Sequence, residues 1–180
     1  MKQTFWASFR FLLVSTLLFG GVYTLLVTGV GQLLFPQQAN GSLVEKDGKV
    51  VGSSLIGQAN EPADEQSEYF SGRPQSVSQL NPTSEALRQQ VAERTQRQLE
   101  NNPTQSEVPI DLVTASASGV DPDISVEAAH FQVDRIAEGR KISSQTINAI
   151  IEEHAETELF STRKYVNVLA LNLALDALQQ

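Results

Sequence analysis

The chain has 180 residues, 21 acidic and 13 basic side chains, a formal net charge of −8 and no cysteine. The cysteine count excludes disulfides, thiolate nucleophiles and Cys-ligated metals, and fits either side of a membrane equally. The negative charge repels phosphate backbones, which excludes nucleic acid as a partner.

Residues 1–10 carry Lys2 and Arg10 and form a short N-terminal flank. From there to Glu45 the only ionisable side chain is Tyr23, and residues 11–34 read FLLVSTLLFGGVYTLLVTGVGQLL. At about 1.5 Å per residue this run makes a helix of roughly 36 Å against roughly 30 Å of hydrocarbon. A modest tilt lets it span, so residues 11–35 are assigned as a transmembrane helix. A secretory signal peptide is the competing reading, because the start is basic and small residues lie near Gly29 and Gly31; its apolar core would be about half as long.

Within the span Thr16, Gly20, Thr24, Thr28 and Gln32 recur at every fourth position. Small residues let helices approach closely in lipid, and hydroxyl and amide groups hydrogen-bond across them, so these five form an expected helix interface. Four α-helical residues overshoot a turn by about 40°, so the stripe should wind around the rod. Thr28-Gly29-Val30-Gly31 superficially resembles a potassium-filter loop, but a filter needs several such loops around one axis. Lys2 and Arg10 precede the span, whereas Glu45, Lys46, Asp47 and Lys49 follow it nearly balanced. The charge bias predicts a cytoplasmic N-terminus and an extracytoplasmic domain over residues 36–180. That domain holds all 21 acidic and 11 of the 13 basic residues, a net charge of −10.

Asp47-Gly48 between two short apolar stretches predicts a β-hairpin over residues 43–51. Residues 58–81 turn polar, with Pro62, Gly72 and Pro74, and read as a loop in which Tyr69 and Phe70 are the apolar exceptions. A helix over 82–100 is capped by Thr83 or Ser84 and stopped at Asn101-Asn102-Pro103, with Leu87 and Val91 on one face. Val108, Ile110 and Leu112 alternate like a strand that enters the small-residue run 114–119. Asp121-Pro122-Asp123 then leads into a helix over 126–138, ending at Gly139, with Val126, Ala129, Val133, Ile136 and Ala137 facing a core. Ser143 or Ser144 caps a further helix with Ile147, Ile150, Ile151 and His154 on its apolar side. Residues 165–169 look like a buried strand, and Leu171, Leu173, Leu175 and Leu178 close the chain as a short helix. The fold class is therefore α+β, a mixed extracytoplasmic domain on a single N-terminal transmembrane helix.

No nucleophile elbow, phosphate-binding loop or His-Glu-x-x-His motif occurs, so no catalytic residue is assigned. His130 and His154 are too few and too far apart in sequence to define a metal site, and none is assigned. Asp121 and Asp123 read first as a turn and cap, Ser116 and Ser118 first as part of a packed loop.

The blocks GQLLFPQQANGSLV at 31–44, GSSLIGQ at 52–58, YFSGRP at 69–74, DLVTASASGVDPDIS at 111–125 and VNVLALNLALD at 166–176 resemble KdpC, the C subunit of the Kdp-type potassium-transporting P-type ATPase. With the single span and the Gln132-Val133-Asp134-Arg135 stretch they cover nearly the whole chain in order. Residues 75–85 are abbreviated relative to the Gly, Ser and Asn-rich segment usual in that family. The resemblance implies a non-catalytic subunit of the plasma (inner) membrane, partnered by the potassium-pore subunit, the P-type ATPase catalytic subunit and lipid. It implies no firmly bound cofactor, ATP and potassium being handled by the complex. It also implies a role in assembly and as a catalytic chaperone raising ATP affinity, with Ser116, Ser118, Gly119 and Gln132 as family-implied nucleotide-binding residues. ATP is cytosolic and the domain is expected outside, so such an effect would act through subunit contacts. A free-standing membrane-anchored binding or adhesion module is the alternative.

Overall fold

The computed structural model describes residues 2–58, 68–77, 79–157 and 160–178. They fall into two compact units, Met1–Val51 and Gly52–Gln180.

The first unit is dominated by one helical run of 33 residues, Lys2–Leu34, none of it buried. It begins nine residues before the expected span, and at about 1.5 Å per residue reaches roughly 50 Å, well beyond a hydrocarbon core. Its first turns carry an aromatic cluster in which Trp6 meets Phe9 edge-on at 5.8 Å and Phe5 stacks on Phe9 at 6.4 Å. Aromatic rings of this kind suit the headgroup region. The run is not uniformly α-helical: α1 (Lys2–Ser15) and α2 (Thr24–Leu34) flank a π-helical segment, Thr16–Tyr23. Gly20 and Gly21 lie in this wide turn, and the Thr24 hydroxyl donates to the Phe19 carbonyl at 2.9 Å.

Phe35 leaves helical geometry at φ −138°, and Pro36 opens the short α3 (Pro36–Ala39), where its missing N–H costs nothing. The predicted hairpin forms from β1 (Leu43–Lys46) and β2 (Lys49–Ser53). Asp47 and Gly48 sit at φ +53° and +73°, the left-handed pair that a two-residue turn of matching twist requires.

In the second unit α4 (Glu85–Asn101) starts at Ser84, whose side chain accepts from the Leu87 amide. The unit's sheet is antiparallel with strand order β3-β5-β4, from β3 (Asp123–Ser125), β4 (Glu156–Thr157) and β5 (Lys164–Asn167). Ile124 pairs with Val166 at its centre. Both long-paired strands run straight into helices: β3 into α5 (Val126–Phe131) and β5 into α8 (Val168–Ala177). Each junction is an N-cap, with Ser125 accepting from Ala128 N–H and Asn167 from Ala170 N–H. Helices α6 (Val133–Arg140) and α7 (Ser144–Glu153) complete the layer, α7 capped by Ser143. The core between sheet and helices includes Ile124, Ala129, Ile136, Ile147, Ile151, Val166, Leu171 and Leu175. On the free edge of β3, the Asp123 N–H donates to Asp121 and the Ser125 N–H to Asp111, both carboxylates.

Four expectations are corrected. Residues 108–112 are not a strand: Pro109, without an amide proton and at φ −56°, opens a 3₁₀ turn, Ile110–Leu112, that buries Leu112 and leaves Ile110 exposed. Asp121-Pro122-Asp123 enters β3 before any helix. The helix expected over 126–138 breaks at Gln132 (φ −94°, ψ −6°) and runs past Gly139 to a left-handed Lys141 at φ +58°. The strand expected over 165–169 ends at Asn167, because that cap starts α8. Of the loop expected over 58–81, residues 59–67 and 78 lie outside the described residues, and the described remainder holds neither helix nor strand.

Candidate functional site

Two regions carry the expected site residues: the apolar rod and the loops above α5 and α6. On the rod the π segment alters the stripe. An i→i+5 turn takes more than four residues, so the steps from Thr16 through Gly20 to Thr24 fall slightly short of a turn instead of overshooting it. This offsets the drift expected of a pure α-helix. A side-chain carbon at Gly20 would lie 4.0 Å from the Thr16 methyl, placing the two on one face. Gln32 is engaged locally: its amide and that of Asn40 exchange two hydrogen bonds, both 3.1 Å, and Asn40 also donates to the Pro36 carbonyl at 2.7 Å.

Ser116, Ser118 and Gly119 form one tight turn. Ser116 is buried, its hydroxyl lies 3.4 Å from that of Ser118, and it accepts from the Gly119 amide at 2.9 Å. The Ser118 hydroxyl accepts from the Val120 amide. Gly119 sits at φ +74°, and an added Cβ would meet the Ser76 backbone at 3.0 Å, so only glycine fits this approach. His130 does not join the serines: its Nδ1 lies 2.8 Å from Asn148 and its Nε2 3.5 Å from Glu152.

Gln132 is fully buried, and its amide is occupied on both sides. Its oxygen accepts from the Ser71 amide and from Arg135, both at 2.8 Å; its nitrogen donates to the Ser71 and Ala128 carbonyls at 3.0 and 3.1 Å. It is one half of a clamp. Asn172 of α8 treats Phe70 as Gln132 treats Ser71, accepting from its amide at 2.8 Å and donating to its carbonyl at 3.0 Å. Arg135 donates to the Tyr69 carbonyl and Arg140 to that of Glu68. The segment 68–71 is thereby held at its backbone by side chains, with Phe70 wholly inside the core. Arg140 also pairs with Asp176 at 2.8 Å and lies 4.4 Å over the Tyr69 ring, whose hydroxyl donates to Asp176. Burial, then the neighbouring Asp176, pushes the Tyr69 phenol up, and burial draws the Arg135 guanidinium down to about 10.

An open groove of about 850 Å³ runs beside β3, lined by Arg73, Asp111, Asp121, Asp123, Arg163, Lys164 and Tyr165 among others. Asp121 is committed to Arg73 at 3.2 Å, and Arg73 also donates to the Thr114 carbonyl. Burial raises the Asp123 carboxyl, against a bond from Asn167 that stabilises its ionised form. Among the described residues no group of three His, Asp or Glu side chains converges as a metal site. Tyr69, Arg135, Arg140, Asn172 and Asp176 were missed by sequence reasoning. The available signals were the aromatic pair in a polar run and one amide amid the leucines of residues 166–176.

A family model described as "KdpC: K+-transporting ATPase, c chain" matches residues 5–177. The chain is 45% identical to the potassium-transporting ATPase KdpC subunit of Mycobacterium tuberculosis, over 99% of this chain and 100% of that protein. The same-named subunit of Bradyrhizobium diazoefficiens is 43% identical over 92% of each chain. That of Erwinia tasmaniensis is 45% identical over 93% of this chain and 94% of its own.

Proposed function

The chain belongs to the KdpC family, and from that membership we propose that it serves as an accessory subunit of an ATP-driven potassium uptake complex. Catalysis lies in another subunit. The observation that carries this reading is the match across residues 5–177, joined to a 33-residue exposed apolar rod.

The rod anchors the chain as a single pass in the plasma membrane, N-terminus in the cytoplasm and the Gly52–Gln180 unit outside, as the Lys2 and Arg10 bias requires. Its Thr16, Gly20, Thr24 and Thr28 face packs against a partner helix of the pore or ATPase subunit, and this contact stabilises assembly. Any gain in ATP affinity reaches the catalytic subunit as a coupling free energy through those contacts. The sealed Gln132 amide and the self-contained serine turn favour this route over direct nucleotide contact.

Three measurements test the reading. Protease added to spheroplasts should digest the C-terminal unit; protection there, with digestion only after lysis, overturns the orientation. Equilibrium binding of labelled ATP to the full chain purified in mild detergent should show no saturation. Saturable micromolar binding would restore direct nucleotide contact. Recovery of the chain without stoichiometric larger membrane partners would instead favour a free-standing module.

A further inference from the structure

The first turns of the apolar rod sort their side chains onto two faces. Lys2, Trp6 and Arg10 lie four apart and Phe5 and Phe9 fill the adjoining row, so at 3.6 residues per turn these five share an arc of about 140°. Gln3, Thr4, Ala7 and Ser8 take the remainder. On the first face the three rings are in mutual contact, Phe5 to Trp6 at 6.1 Å, Phe5 to Phe9 at 6.4 Å and Trp6 to Phe9 at 5.8 Å. They form no buried core, since Phe5 is 66% exposed and Trp6 55%. No acidic residue precedes Glu45, so the run Lys2–Leu34 holds no counter-ion for either cation.

Length sets the depth of this face in the anchored chain. Residues 11–34 already fill the hydrocarbon, so residues 2–10 extend about 13 Å beyond it and cross the headgroup layer of one leaflet. Arg10 stands at the hydrocarbon margin, from which its guanidinium snorkels outward; Lys2 lies about 12 Å further along the axis, from which its ammonium reaches back. The phosphate layer falls between them. Trp6, midway, offers an apolar ring and an N–H donor at the same level. A zwitterionic headgroup carries its own cation and leaves Lys2 and Arg10 uncompensated, whereas a headgroup of net negative charge neutralises them.

We propose that the Lys2, Trp6 and Arg10 face binds an anionic phospholipid, whose phosphate the two cations hold from either side while the aromatic rings pack on its glycerol end. This rests on the membrane-anchor reading and gives the anchor a lipid preference. Trp6 is the single tryptophan of the chain and reports from the site itself. The full chain is reconstituted into vesicles of equal phosphatidylglycerol and phosphatidylcholine. Bromine, which quenches indole emission, is carried near the headgroup end of the acyl chains of one lipid or of the other. Both leaflets have the same composition, so orientation does not enter. Quenching should favour brominated phosphatidylglycerol by a relative association constant of about tenfold, from about fivefold per cation less the screening by salt. The preference should fall toward unity in about 1 M salt, and in Lys2→Gln combined with Arg10→Gln, while both brominated lipids still quench the variant. Equal quenching of the parent by the two lipids, or an undiminished preference in the double variant, overturns the site and leaves the anchor standing. Loss of the preference on adding inorganic phosphate at constant ionic strength would identify free phosphate as the ligand and overturn it as well. Quenching by neither lipid removes anchor and site together.

Discussion

Replacing Asn172 by alanine tests the clamp most directly. The substitution deletes the donor to the Phe70 carbonyl and the acceptor for the Phe70 amide, 3.0 and 2.8 Å away, at a residue with no solvent exposure. Each orphaned backbone group costs about 1–3 kcal/mol, so the pair costs about 2–6 kcal/mol. Entry of water beside Asn172, itself 9% exposed, pulls the value toward the lower end. Against a total stability of about 5–15 kcal/mol the domain should still fold, but weakly. Urea titration of the full chain in mild detergent, followed by far-UV circular dichroism, reads the loss. With a slope of about 1–3 kcal/mol per molar, the midpoint should fall by roughly 1–2 M. Thr104→Ala, at an exposed contact to Asp134, is the control and should stay within about 0.5 kcal/mol. An Asn172→Ala midpoint equal to that of the control, at unchanged slope, would refute the account of how 68–71 is held.

Three further outcomes are expected. Gly57→Ala forces backbone to move, since its Cβ would lie 2.5 Å from the Asp121 oxygen; the cost is about 1–3 kcal/mol, and a melting temperature unchanged from the parent would contradict it. Gly20→Leu with Thr24→Leu should weaken retention in the complex without shifting the melt of the distal unit, and full co-purification would remove the stripe as an interface. Asp123→Asn should raise stability at pH 7, because the folded state holds that proton more tightly than the unfolded chain and ionising the carboxyl therefore costs stability. The advantage should shrink as pH falls through the raised value and vanish below the unfolded value of about 3.9. A variant less stable than the parent at pH 7 would contradict the sign.

The features that sequence reasoning reached depend on near neighbours. The apolar run from Phe11, the Asp47-Gly48 turn, and the Ser84 and Ser143 caps each state their structure within a few residues. The features it missed are set by partners far along the chain. Gln132 breaks a helix to bond Ser71, 61 residues earlier, and Asn172 reaches Phe70 across 102. Nothing local names the distant partner of either amide, so 69–71 read as part of a loop and 126–138 as unbroken helix. Pro109 was a local cue overlooked: its fixed φ and absent N–H outweigh the alternation of Val108, Ile110 and Leu112. For the expected nucleotide residues, Gln132 was visible as a letter but not as a sealed amide.

The rim of β3 has a bearing on how densely the protein can be displayed. An open strand edge ordinarily invites a stranger's strand and seeds cross-β aggregates. Here the amides of Asp123 and Ser125 are already occupied by the carboxylates of Asp121 and Asp111. A newcomer would have to evict two anions from good hydrogen bonds to begin pairing. Heads tethered side by side on one sheet of lipid would thus meet, at this rim, amides already taken by carboxylates.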